Sequence, residues 1–238
     1  MHEDGDGELL GLGFDFYELL KDRLEYIRSY YDAVMSQFEG RKRSIENQVE
    51  PYVDTRNPED YDGPAFELEW SEANDFEHTT GFLCVSLLTK ALENYLRFFV
   101  MREFGLRNIG ELSSSMKAHS ISYKNGKVVA FVKLLQRATW TKFSWSSSPI
   151  TKIEVEDITL TRNAFMHDEQ LDDGFILHKQ FESHRQHSAF SDLRWAELYR
   201  DDEFWDNPQK LIVTRENFTA AIGKVTKFCE YIENCRTR

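Results

Sequence analysis

The chain has 238 residues, 41% hydrophobic and 14% aromatic, enough apolar volume for a packed core in one large or two small domains and too much for a disordered chain. A formal net charge of −12, taken as an average, disfavours a polyanionic partner. Three cysteines, Cys84, Cys229 and Cys235, are too few and too scattered for a disulfide framework or a cysteine-based zinc site, which points to a reducing compartment and a cytoplasmic location.

The opening stretch MHEDGDGELLGLG carries four acidic residues and four glycines where a secretory signal needs basic residues and then an apolar run, so no targeting peptide is expected. Residues 14–50 predict a long amphipathic helix, because Leu20, Leu24, Ile27, Tyr31, Val34 and Phe38 alternate spacings of three and four. Pro51 is expected to end it. The following PYVDTRNPEDYDGP, with three prolines and a glycine, reads as a connector. Residues 1–66 are then an N-terminal helical arm and linker, and 67–238 the main helical domain.

Ser71 offers an N-cap for a second long helix, carried by Leu88, Leu92, Tyr95 and Phe99 and stopped at Gly105. Its apolar stretch FLCVSLLTKALENYLRFFVM is interrupted by Lys90, Glu93 and Arg97, which suits a buried helix better than a membrane crossing. Residues 112–127 read as a Ser-rich loop. In YKNGKVV a turn followed by a helix is favoured, since Val128, Phe131, Val132 and Leu135 are at helical spacing, and a short β element at the Asn-Gly pair is the alternative. A helix is placed at about 153–167 by its periodicity. Residues 168–210 form a long polar connection dotted with aromatics, a length usually functional or containing further elements. A closing helix takes Thr214 as N-cap and puts Phe218, Ile222, Val225, Phe228 and Ile232 on one face. The fold class expected is all-α, an antiparallel helical bundle.

The charge is not evenly spread. Between Leu112 and Ile153 there is no acidic residue, while Lys117, Lys124, Lys127, Lys133, Arg137, Lys142 and Lys152 supply seven cations. Subtracting those seven positive charges from the total of −12 leaves −19 on the rest of the chain. Tyr123, Phe131, Trp140, Phe143 and Trp145 are interleaved with the cations, the combination that holds single-stranded nucleic acid through phosphate pairing and base stacking. The bland reading is a basic surface paired with acidic helices of the same molecule, the aromatics being core.

This window leads into ITLTRNAFMHDE, where Val155, Ile158, Arg162, Phe165 and Met166 fall on one side of a helical wheel. A guanidinium in an apolar stripe needs partners for its five donors. The pattern Arg162-Asn163-x-x-x-His167, on a late helix with apolar flanks, resembles the signature of the HEPN superfamily, all-α proteins with an arginine, often followed by a polar residue, and a histidine a few positions beyond. The likeness covers about residues 70–236 as an ordering of helices.

The resemblance implies a metal-independent, cofactor-free endoribonuclease that acts as a homodimer, with Arg162, Asn163 and His167 catalytic and the seven cations of the basic window binding RNA. A toxin or antiviral defence effector, restrained by an antitoxin or regulatory protein, is the biological form expected. Physical chemistry agrees: cleavage through the 2′-OH needs a proton acceptor, a proton donor and a cation beside the phosphorane, which histidine and arginine supply. Five positions on an ideal helix differ by roughly 140°, so Arg162 and His167 do not share one face, and a site built from two protomers would relieve that. The structural alternative pairs Arg162 with a carboxylate such as Glu93 and leaves His167 as a helix cap. Toxins of the family whose partner is a nucleotidyltransferase carry a tyrosine two residues after the histidine; here that position is Glu169, which puts control by such modification in doubt.

The rival function is a non-catalytic helical module for dimerisation or for binding a nucleotide or protein. His178, His184 and His187 lack matching zinc-ligand spacing. GLGFDF lacks the third glycine and preceding strand of a dinucleotide loop, and DLRWAELYRDDEFWDNP reads as a folded lid or core segment rather than a ligand cage.

Overall fold

The computed structural model describes residues 15–57, 63–123, 126–138, 142–167, 189–190 and 211–236, with backbone only at 164–167. Among these residues the chain is all-α, with six α-helices and no strand. They are α1 (Phe16–Glu46), α2 (Glu67–Glu103), α3 (Ile109–Ala118), α4 (Lys127–Arg137), α5 (Lys152–His167) and α6 (Arg215–Asn234).

The first helix is opened by Asp15, whose carboxylate accepts the backbone N–H of Tyr17 (2.9 Å) and Glu18 (3.2 Å). Its buried stripe is Phe16, Leu20, Leu24, Ile27, Tyr31 and Met35. The last is a correction to the expected Val34: after Tyr31 the true period of 3.6 favours the step of four. Phe38 is half-buried and stacks on Phe76 at 5.7 Å. The helix stops four residues before Pro51's predecessor, where the Asn47 side chain takes the carbonyl of Arg43 (2.7 Å).

Helix α2 starts at Glu67, so Ser71 lies within it and does not cap it. Glu67 and Glu69 in the first turn complement the helix dipole instead. Its far end is a Schellman motif: Leu106 N–H reaches the Met101 carbonyl (2.8 Å) and Gly105 N–H that of Arg102 (3.2 Å). Gly105 has φ +63°, the left-handed conformation glycine adopts without a Cβ penalty.

Phe16 stacks on Phe98 (5.1 Å), Arg41 pairs with Glu72 (2.7 Å) and Lys42 pairs with Glu77, so α1 and α2 run antiparallel. On α6, Tyr31 packs on Phe218 (4.4 Å), and Arg215 reaches back to Asp32 (3.4 Å) and Glu39 (3.4 Å). Helix α2 is the hub: it packs against α1, α4, α5 and α6, and Leu88, Leu92, Leu96 and Val100 are fully buried. The residues of α1 belong to the same hydrophobic cluster as those of α2, α4, α5 and α6. The approach is closest at Gly81, where an added Cβ would meet Val213 Cβ at 2.7 Å, while the Tyr31 hydroxyl donates to the Val213 carbonyl (3.2 Å).

Two further expectations meet the structure. The stretch 112–127 is not all loop: α3 runs through Ala118, capped by Asn108, whose Oδ1 accepts from Glu111 N–H (3.0 Å), and it buries Leu112 and Met116. After Gly126 the chain enters α4 directly, the turn-then-helix reading; Val128, Phe131, Val132 and Leu135 are all buried. Helix α6 has the predicted cap and face, with Thr214 Oγ1 accepting from Asn217 N–H (3.2 Å) and the five named apolar residues buried. Among the described residues no helix is long and apolar enough to cross a membrane.

Candidate functional site

Helix α5 carries the Arg-Asn-x-x-x-His pattern in its last two turns. Its start is a capping box. Thr151 Oγ1 accepts from Glu154 N–H (3.2 Å), while Glu154 Oε2 takes the backbone N–H of Thr151 (2.9 Å) and its hydroxyl (2.9 Å). Lys224 of α6 closes on the other oxygen of Glu154 at 3.2 Å, fastening α5 to α6. Burial alone would raise the Glu154 carboxyl, but the Thr151 backbone and hydroxyl together with Lys224 hold it below its ordinary value.

The buried arc of α5 consists of Val155, Asp157, Ile158 and Thr161. The Thr89 hydroxyl donates to the Ile158 carbonyl (3.3 Å), fixing α5 on α2. Asp157 is 1% exposed, an ionisable group about one turn before the motif that sequence reading did not single out; its carbonyl accepts from the hydroxyl of the buried Thr161 (2.8 Å), and because position 157 lies off the apolar stripe of the helix, no pattern in the sequence marked it.

Arg162 sits at the edge of this arc and is half-buried rather than embedded in the core. Among the described residues its guanidinium makes one hydrogen bond, Nη1 to Asn163 Oδ1 at 3.0 Å, and no ion pair. The carboxylate offered as its structural partner, Glu93, lies 3.8 Å from Lys90 instead. Asn163 stands one turn before His167, four positions apart and so on the same side of the helix. The amide oxygen orients Arg162. The His167 backbone is the end of α5, while its side chain, with those of Phe165 and Met166, lies outside the described residues.

Six of the seven basic-window cations can be located. Lys117, Lys127, Lys133, Arg137, Lys142 and Lys152 are all exposed; Lys124 lies outside the described residues. Helix α4 is buried nearly all round, by Val128, Val129, Ala130, Phe131, Val132, Leu134 and Leu135, so its narrow solvent strip is Lys127, Lys133, Gln136 and Arg137. Lys152 is engaged by Glu156 at 3.0 Å, one turn along α5. The other five cations form no ion pair among the described residues.

The aromatics divide differently. Phe131 and Phe143 are core, and Trp145 stacks on Phe228 of α6 at 5.5 Å with the rings within 5° of parallel. Phe131 and Phe143 follow the bland reading, and the half-buried Trp145 has one ring face taken by Phe228. Tyr123 is 42% exposed, its ring edge-on to Phe131 at 6.0 Å, with the guanidinium of Arg97 near enough to oppose the effect of burial on its phenol. Trp140, His178, His184, His187 and Glu169 lie outside the described residues, and among the described residues no cluster of metal-ligating side chains forms.

Chemically, the arrangement offers a guanidinium oriented by an amide at the rim of a buried helix face and, on α4, exposed cations without an ion pair among the described residues, groups suited to phosphates. No family model, curated protein or solved structure matches the chain.

Proposed function

We propose that the protein is an endoribonuclease of HEPN type, working as a homodimer in which α5 of each protomer contributes Arg162, Asn163 and His167. The observation that carries this reading is the state of Arg162: half-buried, oriented by Asn163 Oδ1, and not neutralised by an acid among the described residues. A structural arginine at such a place is ordinarily tied to a carboxylate. A guanidinium braced by an amide keeps its charge for an incoming anion.

In the proposed reaction His167 takes the proton of the ribose 2′-OH while water protonates the departing 5′-oxygen, or, protonated, it gives its proton to the 5′-oxygen while water takes that of the 2′-OH. The 2′-oxygen forms a bond to phosphorus as the bond to the 5′-oxygen breaks, leaving a cyclic phosphate and a free 5′-hydroxyl. Arg162 stabilises the charge that builds on the phosphorane oxygens, and Asn163 holds Arg162 in place. Lys117, Lys124, Lys127, Lys133, Arg137 and Lys142 lead the RNA toward α5, with Lys152 the weakest contributor because Glu156 already holds it. The acidic remainder of the chain is the surface offered to an antitoxin or regulatory protein, and a toxin or defence role fits such an enzyme.

A second reading, a non-catalytic dimerisation or binding module, draws support from the burial of Phe131 and Phe143 and the stacking of the half-buried Trp145 on Phe228, which removes much of a stacking platform. Cleavage of labelled RNA in the presence of a chelator separates the two. Wild-type protein is expected to cut. His167→Ala is expected to lose about 10²–10⁴-fold in rate while remaining a folded dimer by circular dichroism and sedimentation. Wild-type rates in that variant remove the catalytic assignment, and a wild-type protein that binds RNA without cutting it favours the module.

A further inference from the structure

We propose that the groove between the start of α1 and the second half of α2 binds a small amphiphilic anion, an apolar carboxylate of about ten non-hydrogen atoms. The groove has a volume of about 270 Å³. Phe16, Leu20, Leu87 and Phe98 supply apolar walls, while Arg23 and Lys90 are the charged residues lining it. It arises because α1 and α2 run antiparallel here with Ala91 as the small residue between them, and because Phe16 and Phe98 stack on each other as one wall.

Size and charge select the ligand. At about 30 Å³ for each water- or methylene-sized group, the space takes roughly nine such groups, an eight-carbon chain with its head at the rim. Both charged liners are cationic, in a molecule whose net charge is −12, and among the described residues no carboxylate lines the groove. Those cations are only lightly committed. Arg23 has the Tyr26 ring at 5.3 Å and no ion pair among the described residues, and Lys90 reaches Glu93 at 3.8 Å. Asn94 adds a neutral hydrogen-bonding group. Leu19, 53% exposed at the edge, would be covered by a bound chain. Among the described residues none of α5 lines the groove, so this inference stands apart from the nuclease reading.

Octanoate, octanol and octylammonium titrated into the full chain by calorimetry, with the leucine methyl groups followed by NMR, test it. Octanoate is expected to bind at least about tenfold more tightly than octanol, with octylammonium weakest and shifts centred on Leu19, Leu20 and Leu87. The double substitution Arg23→Gln with Lys90→Gln should bring octanoate to the affinity of octanol and leave octanol within about twofold. Equal affinity for all three probes, or octanoate binding that survives the double substitution, overturns the proposal. So does a tenfold gain in octanoate affinity when Leu9, Leu10 and Leu12 are changed to serine, which would assign the groove to the residues preceding Asp15. Dissociation of a dimer by octanoate in sedimentation would assign it to a second copy, with the same consequence.

Discussion

Glu154 is held from three directions, by the backbone and the hydroxyl of Thr151 and by Lys224, and these interactions favour its charged form. With the folded pKa below the ordinary 4.5, its contribution to stability is complete above about that pH and is lost as pH falls through the lower, folded value. Thr151→Ala should therefore cost about 1 kcal/mol at neutral pH and flatten part of the acid limb, as read from urea midpoints between pH 7 and pH 3. Cys84 behaves oppositely. Burial against α2's apolar neighbours pushes its thiol up to about 11, and Cys229, on α6, is raised well above its usual range for the same reason. Because the thiolate is the reactive species, iodoacetamide at pH 8 should leave both unmodified in the native protein and label both in denaturant; rapid native labelling would mean that this part of the core opens readily.

At the scale of elements, Gly81 sets how closely α2 and the segment leading into α6 approach. A methyl group there would overlap Val213 Cβ, which is anchored to the backbone and cannot swing away. Gly81→Ala is expected to destabilise by about 1–3 kcal/mol despite alanine's higher helix propensity. Gly40, inside α1 with nothing near its missing Cβ, is the control: Gly40→Ala should stabilise by about 0.5–1 kcal/mol in the same denaturant titration. The long helices were legible in the sequence for a simple reason. One face of α1 and one of α6 are buried and the other is wet, so apolar residues repeat at helical spacing and Thr214 marks a start. Helix α3 was not, because Ser113, Ser114 and Ser115 occupy its middle and the informative signal, Asn108 with Glu111, lies just ahead of the Ser-rich run. The start of α2 was misplaced because Ser71 is a good cap that the chain does not use, the helix having begun a turn earlier. At the site, the helix carrying the motif could be placed from periodicity. The bracing of Arg162 by Asn163 could not, since adjacent residues on a helix do not ordinarily face each other.

Across the whole molecule, electrostatics argues against the average. Seven cations fall in a window without a single acid, and the structure leaves five of the six it describes exposed and without an ion pair among the described residues. Keeping them so is unfavourable in isolation, because like charges on one surface repel, and a chain at −12 has ample carboxylates with which to neutralise them. On α4 the arrangement is tightest. Seven apolar residues turn inward, so Lys133 and Arg137, one turn apart, are forced into the same narrow strip and toward the same stretch of any polyanion. Each phosphate neutralised on a single strand contributes a slope of about −0.7 to the dependence of log affinity on log salt. Lys133→Gln with Arg137→Gln should therefore weaken binding of single-stranded RNA and make that slope shallower by about 1.4, as measured by fluorescence anisotropy between 50 and 200 mM salt. Lys152→Gln should change it by clearly less than 0.7, because Glu156 already competes for that ammonium. Unchanged slopes in the double variant would mean that RNA, if bound, lies elsewhere, and that the exposed cations of α4 face a different partner.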